Sequence, residues 1–399
     1  MKYQIFSILL ILSAVCFAKR QELNPDVLNP ASAEEAKFLQ EIAATGLNLP
    51  TKISVMLSED INLDMMFIPA GTFFMGSPSD ERLRRSDEGP LHKVEITKNF
   101  YLGKFEVSQL QYGMIMGMRK TKFTGNGMPM ENVNWFHING FIGSLTNKFG
   151  LKFRLPSEAE WEYACRAGTR TPFYTGQSIT PEQANYDYRK SYNNSPLGMY
   201  LKMTSPVGKY PPNAFGLRDM HGNVWEWCND FYSSNYYKKS SETDPKGPVE
   251  GKGRVVRGGA WNTDPDKLRS AARENKGHGA DKKYLGFRVL LEIPEDYDGR
   301  ITQVINPINE SYVKHSEQTQ SAPKIEHELI YDEETQQGSI SVTGKGLEAR
   351  NWMLNKIAEV CSSKNIVMKE GKKPEAGYYR LLDEELIDGV YTIKFEAIR

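Results

Sequence analysis

Two carboxylates seven positions apart, Asp219 and Glu226, flank a loop built on Gly222 in the run Asp219-Met220-His221-Gly222-Asn223-Val224-Trp225-Glu226. A hard cation such as Ca²⁺ takes carboxylate and carbonyl oxygens at about 2.3–2.6 Å, and a tight glycine loop can bring both acids to one ion. The same acids paired with arginines would need no cation, and the spacing suits either arrangement. Softer chemistry needs sulfur or imidazole. The 4 cysteines (Cys16, Cys165, Cys228, Cys361) and 6 histidines contain no Cys-x-x-Cys, His-x-His or His-x-x-x-His spacing, so zinc is not expected. Cys165 and Cys228 are either a disulfide pair or two small buried hydrophobes.

Around these residues lie 399 positions, enough for two domains. Lys+Arg and Asp+Glu are 50 each. The lack of a basic surplus to neutralise phosphates argues against a dedicated nucleic-acid binder. A hydrophobic fraction of 39% supports a real core and excludes both a disordered chain and a multi-span membrane protein. Lys2 followed by the apolar run Ile5–Phe17 reads as a secretory signal in residues 1–18, cleaved after Ala18 with Cys16 at −3. Lipidation at Cys16 is the alternative. The chain is therefore expected to be exported, periplasmic or extracellular, with no transmembrane span left after cleavage.

The elements that must hold the candidate site follow from patterning. Residues 19–60 form a polar lead-in with a short helix from Ala33 to Thr45, where Phe38, Leu39 and Ile42 fall at helical spacing. Met66–Ser77 reads as two short strands around Pro69-Ala70-Gly71, and Val94–Thr97 and Phe100–Phe105 as two more. Ser157 with Glu160 three residues on is a capping box, and Leu155, Trp161 and Ala164 give that helix an apolar edge. Gly258-Gly259 suits a backbone at positive φ passing close to other chain. Trp225, Trp227 and Trp261 supply apolar mass where regular structure is sparse. Residues 61–293 thus read as one irregular α+β domain, and 294–335 as an acidic linker. Residues 336–399 read as a small α/β domain: strand Ile340–Val342, helix Gly346–Cys361, strands Tyr378–Leu382 and Val390–Ala397. Its Thr343–Gly346 turn and Asp388-Gly389-Val390-Tyr391 hairpin resemble βαββ modules of exported bacterial lipoproteins and flagellar accessory proteins, which implies an interaction or anchoring role.

In order along the chain stand MMFIPAGTFFMGS (Met65–Ser77), VNW (Val133–Trp135), RLPSEAEWEYACRAG (Arg154–Gly168), NAFGLRDMHGNVWEW (Asn213–Trp227), RVVRGGAW (Arg254–Trp261) and LGFRV (Leu285–Val289). This series resembles the sulfatase-modifying-factor family of formylglycine-generating enzymes and their non-enzymatic relatives. The resemblance implies a C-type-lectin-like fold. It also implies a structural calcium held by Asp219, the carbonyls of Gly222 and Val224, and Glu226. A second calcium site of the family would begin at Asn185-Tyr186, but the loop before Thr204 lacks the expected acid.

The resemblance breaks at the chemistry. The family enzymes hold copper(I) between two cysteines in the segment after Arg-Gly-Gly, and thiolates are the soft ligands that ion requires. Here Gly259–Arg273 contains no cysteine, Thr263 stands near the place of the first, and Ala260 replaces a serine. Cys165 survives, but the resemblance puts Val289 where its disulfide partner would be. Copper is therefore not expected. Two leading functions remain: a non-catalytic binding or scaffold protein, whose groove takes a protein or peptide partner through Trp261, Thr263 and Arg273, or an enzyme, either a divergent formylglycine-generating oxidoreductase or another oxidase using different residues of that groove. A carbohydrate-binding lectin is a third reading, from fold analogy alone.

Overall fold

The computed structural model describes residues 32–293 except 126, and four strand segments beyond them. The chain divides into two compact units, Met1–Pro307 and Ile308–Arg399. In the first unit helix α1 (Ala33–Gly46) starts at Ser32, whose hydroxyl accepts the Glu35 amide at 3.1 Å. Strand β1 (Lys52–Met56) pairs antiparallel with β2 (Asn62–Ile68), so the polar lead-in supplies an edge strand that its composition does not announce. Every second residue of β1 is buried, which is the pattern of a strand with one wet face.

The Pro69-Ala70 turn does not close a hairpin. It carries the chain out of the sheet of β2 into a separate ribbon of β3 (Gly71–Met75) with β4 (His92–Ile96). Beside β2 lies β5 (Phe100–Gly103), then β11 (Leu290–Glu292) and β6 (Phe153–Arg154), completing a five-stranded antiparallel sheet. A second sheet has the order β10 (Leu285–Gly286), β7 (Trp225–Phe231), β8 (Arg254–Arg257), β9 (Arg273–Lys276), with only β10 parallel to its neighbour.

Three more helices pack on these sheets. Capping boxes at Ser108 and Asn134 start α2 (Gln109–Met116) and α3 (Trp135–Phe149), neither of which was expected from the sequence. Helix α3 buries Ile138, Phe141, Ile142 and Leu145 at helical spacing, a signal interrupted in the sequence by Gly140 and Gly143. The expected capping box of Ser157 and Glu160 opens α4 (Glu158–Arg166), and Arg154 closes on Glu160 at 2.6 and 2.7 Å. Gly258 and Gly259 have φ of +93° and +77°, and a Cβ on Gly259 would meet Leu268 at 2.6 Å. Trp225, Trp227 and Trp261 are buried.

Helix α4 organises the interior by charge. Glu158 and Glu162, one turn apart, both reach Arg257 of β8, and Glu162 also holds Arg166 at 2.9 Å. Arg273 of β9 grips both oxygens of Glu158 at 2.7 and 2.6 Å. Arg269 takes Glu88 at 2.6 and 2.7 Å, with Glu81 alongside. Arg257, Arg269 and Arg273 are no more than 1% exposed.

In the second unit, β12 (His327–Asp332), β13 (Gln337–Thr343), β14 (Tyr379–Ile387) and β15 (Val390–Ala397) form an antiparallel sheet in the order β12-β13-β15-β14. Strand β12 falls inside the stretch read as a linker, because its acidic ends mask a short apolar centre, Leu329-Ile330-Tyr331. The hairpin at Asp388-Gly389 is present as Ile387 paired with Val390. The signal segment 1–18 and the helix expected at Gly346–Cys361 lie outside the described residues.

Removing a cation from a buried pair strands its carboxylates, at a cost of about 3–5 kcal/mol. Arg257→Leu should lower the unfolding free energy by that amount in urea. Lys52→Ala, which breaks an exposed pair with Asp64, should cost less than about 1 kcal/mol. Equal effects of the two substitutions would refute the structural role assigned to the buried network.

Candidate functional site

The loop between residues 219 and 226 needs its unusual backbone. Asp219 and Asn223 both have φ of +59°, and Gly222 has φ of +85°. A Cβ on Gly222 would stand 2.3 Å from the Asn185 carbonyl, so no other residue fits there. Gly222 donates its amide to the Gly258 carbonyl at 2.7 Å, and Trp261 donates to the Asn223 carbonyl at 2.9 Å. The loop is thereby tied to the Arg-Gly-Gly segment, and two regions far apart in sequence become one site.

Glu226 is clasped by Arg288, with both contacts at 2.6 Å, and accepts the Trp161 indole N–H at 2.8 Å. The arginine alternative raised by the spacing is realised at this acid. Asp219 differs. One carboxylate oxygen accepts the Gly208 amide, while Oδ1 is buried without a hydrogen-bond partner. Burial pushes its carboxyl up to about 6, with Glu226 adding to the rise and the Gly208 amide and Arg288 opposing it. A third acid, Glu106, follows β5 and was not anticipated. It accepts the Asn223 side-chain amide at 2.6 Å and the Val224 amide at 3.1 Å. Burial, then Asp219 and Glu226, hold its carboxyl well above the usual range. Three buried acids thus face one buried guanidinium, Arg288. Nothing in the run Phe105-Glu106-Val107 marks that acid, because its partners are 117 and 118 residues away.

These residues fit a hard cation in part. Asp219 Oδ1 is an orphaned acceptor, and the surplus of acids favours a positive ion. Among the described residues no three His, Cys, Asp or Glu side chains converge as a metal cage. A calcium would therefore lean on the Gly222 and Val224 carbonyls, and Glu226 would join only by leaving Arg288. At the second site of the family, Asn185 spends its side-chain amide on the Met203 carbonyl and on Asn223.

The expected groove residues separate. Trp261 is 4% exposed and forms an aromatic cluster with Phe123, edge-on at 5.3 Å, and Tyr200, stacked at 6.0 Å. Thr263 lies close by but is turned back. Its hydroxyl donates to the Ala260 carbonyl at 2.9 Å and accepts the Ala260 amide at 3.0 Å, which fixes a turn. Arg273 is 1% exposed, gripped by Glu158 and flanked by the Tyr232 and Tyr237 rings. It is an interior clamp, not a groove residue. An arginine following Ala271-Ala272 carries no local sign of a carboxylate 115 residues away.

Cys165 and Cys228 are both free and buried, which settles their reading as small packed groups. Cys165 faces the Ser270 hydroxyl at 3.7 Å, so the neighbour opposite its sulfur is Ser270, whereas the resemblance had pointed to Val289. Burial pushes the Cys165 thiol up to about 12 and raises Cys228 as well. Both sulfurs are protonated at neutral pH.

The family described as "Sulfatase-modifying factor enzyme 1-like domain" matches residues 56–293. The formylglycine-generating enzyme of Streptomyces coelicolor is 41% identical over 168 residues, covering 40% of this chain and 51% of its own. That of Mus musculus is 27% identical over 315 residues, covering 66% and 82%. The serine/threonine-protein kinase pkn1 of Chlamydia caviae is 32% identical over 254 residues, 56% of this chain but only 37% of its own length. The chain thus spans about two fifths of the Chlamydia relatives it matches. Among solved structures, PvdO from Pseudomonas aeruginosa has a TM-score of 0.53 at 30% identity, covering 60% of this chain and 98% of its own. Treponema denticola variable protein 1 has a TM-score of 0.53 at 26% identity, covering 61% and 100%. The expected α+β, C-type-lectin-like fold is the fold of this unit.

A thiol with a pKa of about 12 is ionised in about one molecule in ten thousand at pH 8. Alkylation of the native protein with iodoacetamide at that pH, mapped by peptide, should leave Cys165 and Cys228 unmodified until denaturant is added. Modification of Cys165 in the folded protein within minutes would contradict its burial.

Proposed function

Because the chain belongs to the sulfatase-modifying-factor family, we propose that it is an exported, non-catalytic member that keeps the scaffold as a binding domain for a protein or peptide partner. One observation carries this reading: the segment after Gly258-Gly259 offers a hydroxyl at Thr263 and carboxylates at Asp264 and Asp266, and no sulfur. Hydroxyls and carboxylates are hard, poor ligands for copper(I). The two thiols of the domain are packed, protonated and turned into the core, which supports the same conclusion. The export part of the reading rests on Lys2 and the apolar run Ile5–Phe17. Among the described residues no helix is long and apolar enough to cross a membrane.

The test uses the purified chain with copper(I), oxygen and a peptide carrying the C-x-P-x-R motif. Mass spectrometry should find no conversion of thiol to aldehyde above a no-protein control. Turnover that persists in a variant lacking Cys165 and Cys228 would establish the alternative, a formylglycine-generating oxidoreductase using other ligands.

A structural calcium is part of the same proposal, held by Asp219 and the Gly222 and Val224 carbonyls, while Glu226, expected from the sequence to join them, stays with Arg288. Bound there, the ion would neutralise the acid surplus around Glu106 and pin the loop tied to Gly258. Chelator should lower the melting temperature of the wild type and leave Asp219→Asn unmoved. Identical melting of the wild type with and without chelator would remove calcium from the account.

A further inference from the structure

Cations crowd the aromatic cluster at Trp261. Lys283 places its ammonium 5.3 Å from the centre of the Trp261 ring, and the indole N–H donates to the Lys283 carbonyl at 3.1 Å. Arg189 lies 4.7 Å over Tyr200, its guanidinium steadied by Asp187 at 2.7 and 2.8 Å. Phe123 is preceded by Lys122, and Lys282 is joined to this side of the domain through its carbonyl, which accepts the Asn132 amide at 3.1 Å. Arg119 donates to the Asn132 carbonyl at 3.4 Å.

The three segments beside the cluster, 118–123, 187–190 and 281–284, hold seven Lys and Arg against two Asp, in a chain whose overall charge is zero. The nearby acids cancel only part of this surplus, at Arg189 and Lys190. Asp187 is spent on Arg189, and Asp264 on Lys190 at 2.7 Å. Glu131 is fully buried and takes the Lys122 and Phe123 amides. Lys120, Lys122, Lys282 and Lys283 are all exposed, and buried Glu131 acts on Lys122 and Lys283 by charge without closing an ion pair with either. Half-buried Phe123 and Tyr200 remain accessible, and Met199 beside Tyr200 is 82% exposed.

We propose that this surface binds an extended acidic peptide, its carboxylates met by Lys122, Lys282 and Lys283 and an aromatic or proline side chain laid against Tyr200 and Phe123, with Trp261 beneath. The inference rests on the binding reading above and gives that reading a ligand class. Charge complementarity selects the occupant: a surface bearing ammonium groups without close carboxylates repels the arginine of a C-x-P-x-R segment and attracts carboxylates. The aromatic rings supply contact area that simple counter-ions cannot use.

Fluorescence anisotropy of the full chain tests this with two labelled peptides of equal length. One is rich in Glu and Asp around a central Tyr-Pro, and the other carries Cys-x-Pro-x-Arg flanked by lysines. The acidic peptide should bind, and its affinity should fall about tenfold or more between low and moderately high salt, as screening predicts. Lys122→Glu with Lys283→Glu, both at exposed positions, should weaken it about tenfold or more with an unchanged circular dichroism spectrum. Equal or tighter binding of the basic peptide would overturn the acidic preference while leaving a binding domain intact. Acidic binding that survives the double charge reversal would place the site elsewhere and overturn the assignment. Binding of neither peptide would overturn this inference and count against the binding reading itself.

Discussion

The first unit depends on buried guanidinium groups clamped by carboxylates. Arg257, Arg269, Arg273 and Arg288 are all essentially inaccessible, and each holds at least one glutamate across a long sequence separation. An unpaired ion in such a place costs several kcal/mol, so each clamp tolerates only the arrangement that completes it. In a domain with short strands and long loops this specificity does what long ladders do elsewhere. Helix α4 carries two of the glutamates, β8 and β9 carry two of the arginines, and the Arg-Gly-Gly segment runs between them.

The candidate site inherits its position from that frame. Arg257 directly precedes Gly258-Gly259, and the two glycines let the backbone pass against Leu268 and Met220 on its way to Trp261. Arg288 plays the same part on the other side, fixing Glu226 at the end of the Asp219 loop. A scaffold fixed in this way keeps its shape when residues at the start of the groove segment change, since the clamps within that segment, Arg269 and Arg273, stand at its far end. Thr263 merely closes a local turn with Ala260. The family frame and a groove segment without cysteine are therefore compatible in one chain.

What was legible in the sequence is local. The capping box at Ser157, the paired glycines at 258 and 259, the buried tryptophans and the ordered family motifs each state their meaning within a few residues. What was not legible is long-range pairing. Arg273 looks like a groove residue until Glu158 is found beside it, and Glu106 is silent until Asn223 and Val224 come into contact. Strand β1 sits in a polar stretch because one of its faces is wet, and β12 is hidden by its acidic ends. The basic surface at Trp261 is likewise invisible in a net charge of zero, since its lysines and arginines come from three separate segments.

The central proposal is that this domain does not hold copper(I) between thiolates. X-ray absorption at the copper edge, on the full chain loaded with copper(I) and then desalted, addresses it most directly. The account predicts no copper retained in a two-coordinate thiolate environment. One equivalent held between two thiolate sulfurs, and kept in a variant with Cys16 and Cys361 replaced by serine, would contradict it, because Cys165 and Cys228 are placed too deep in the core to supply them.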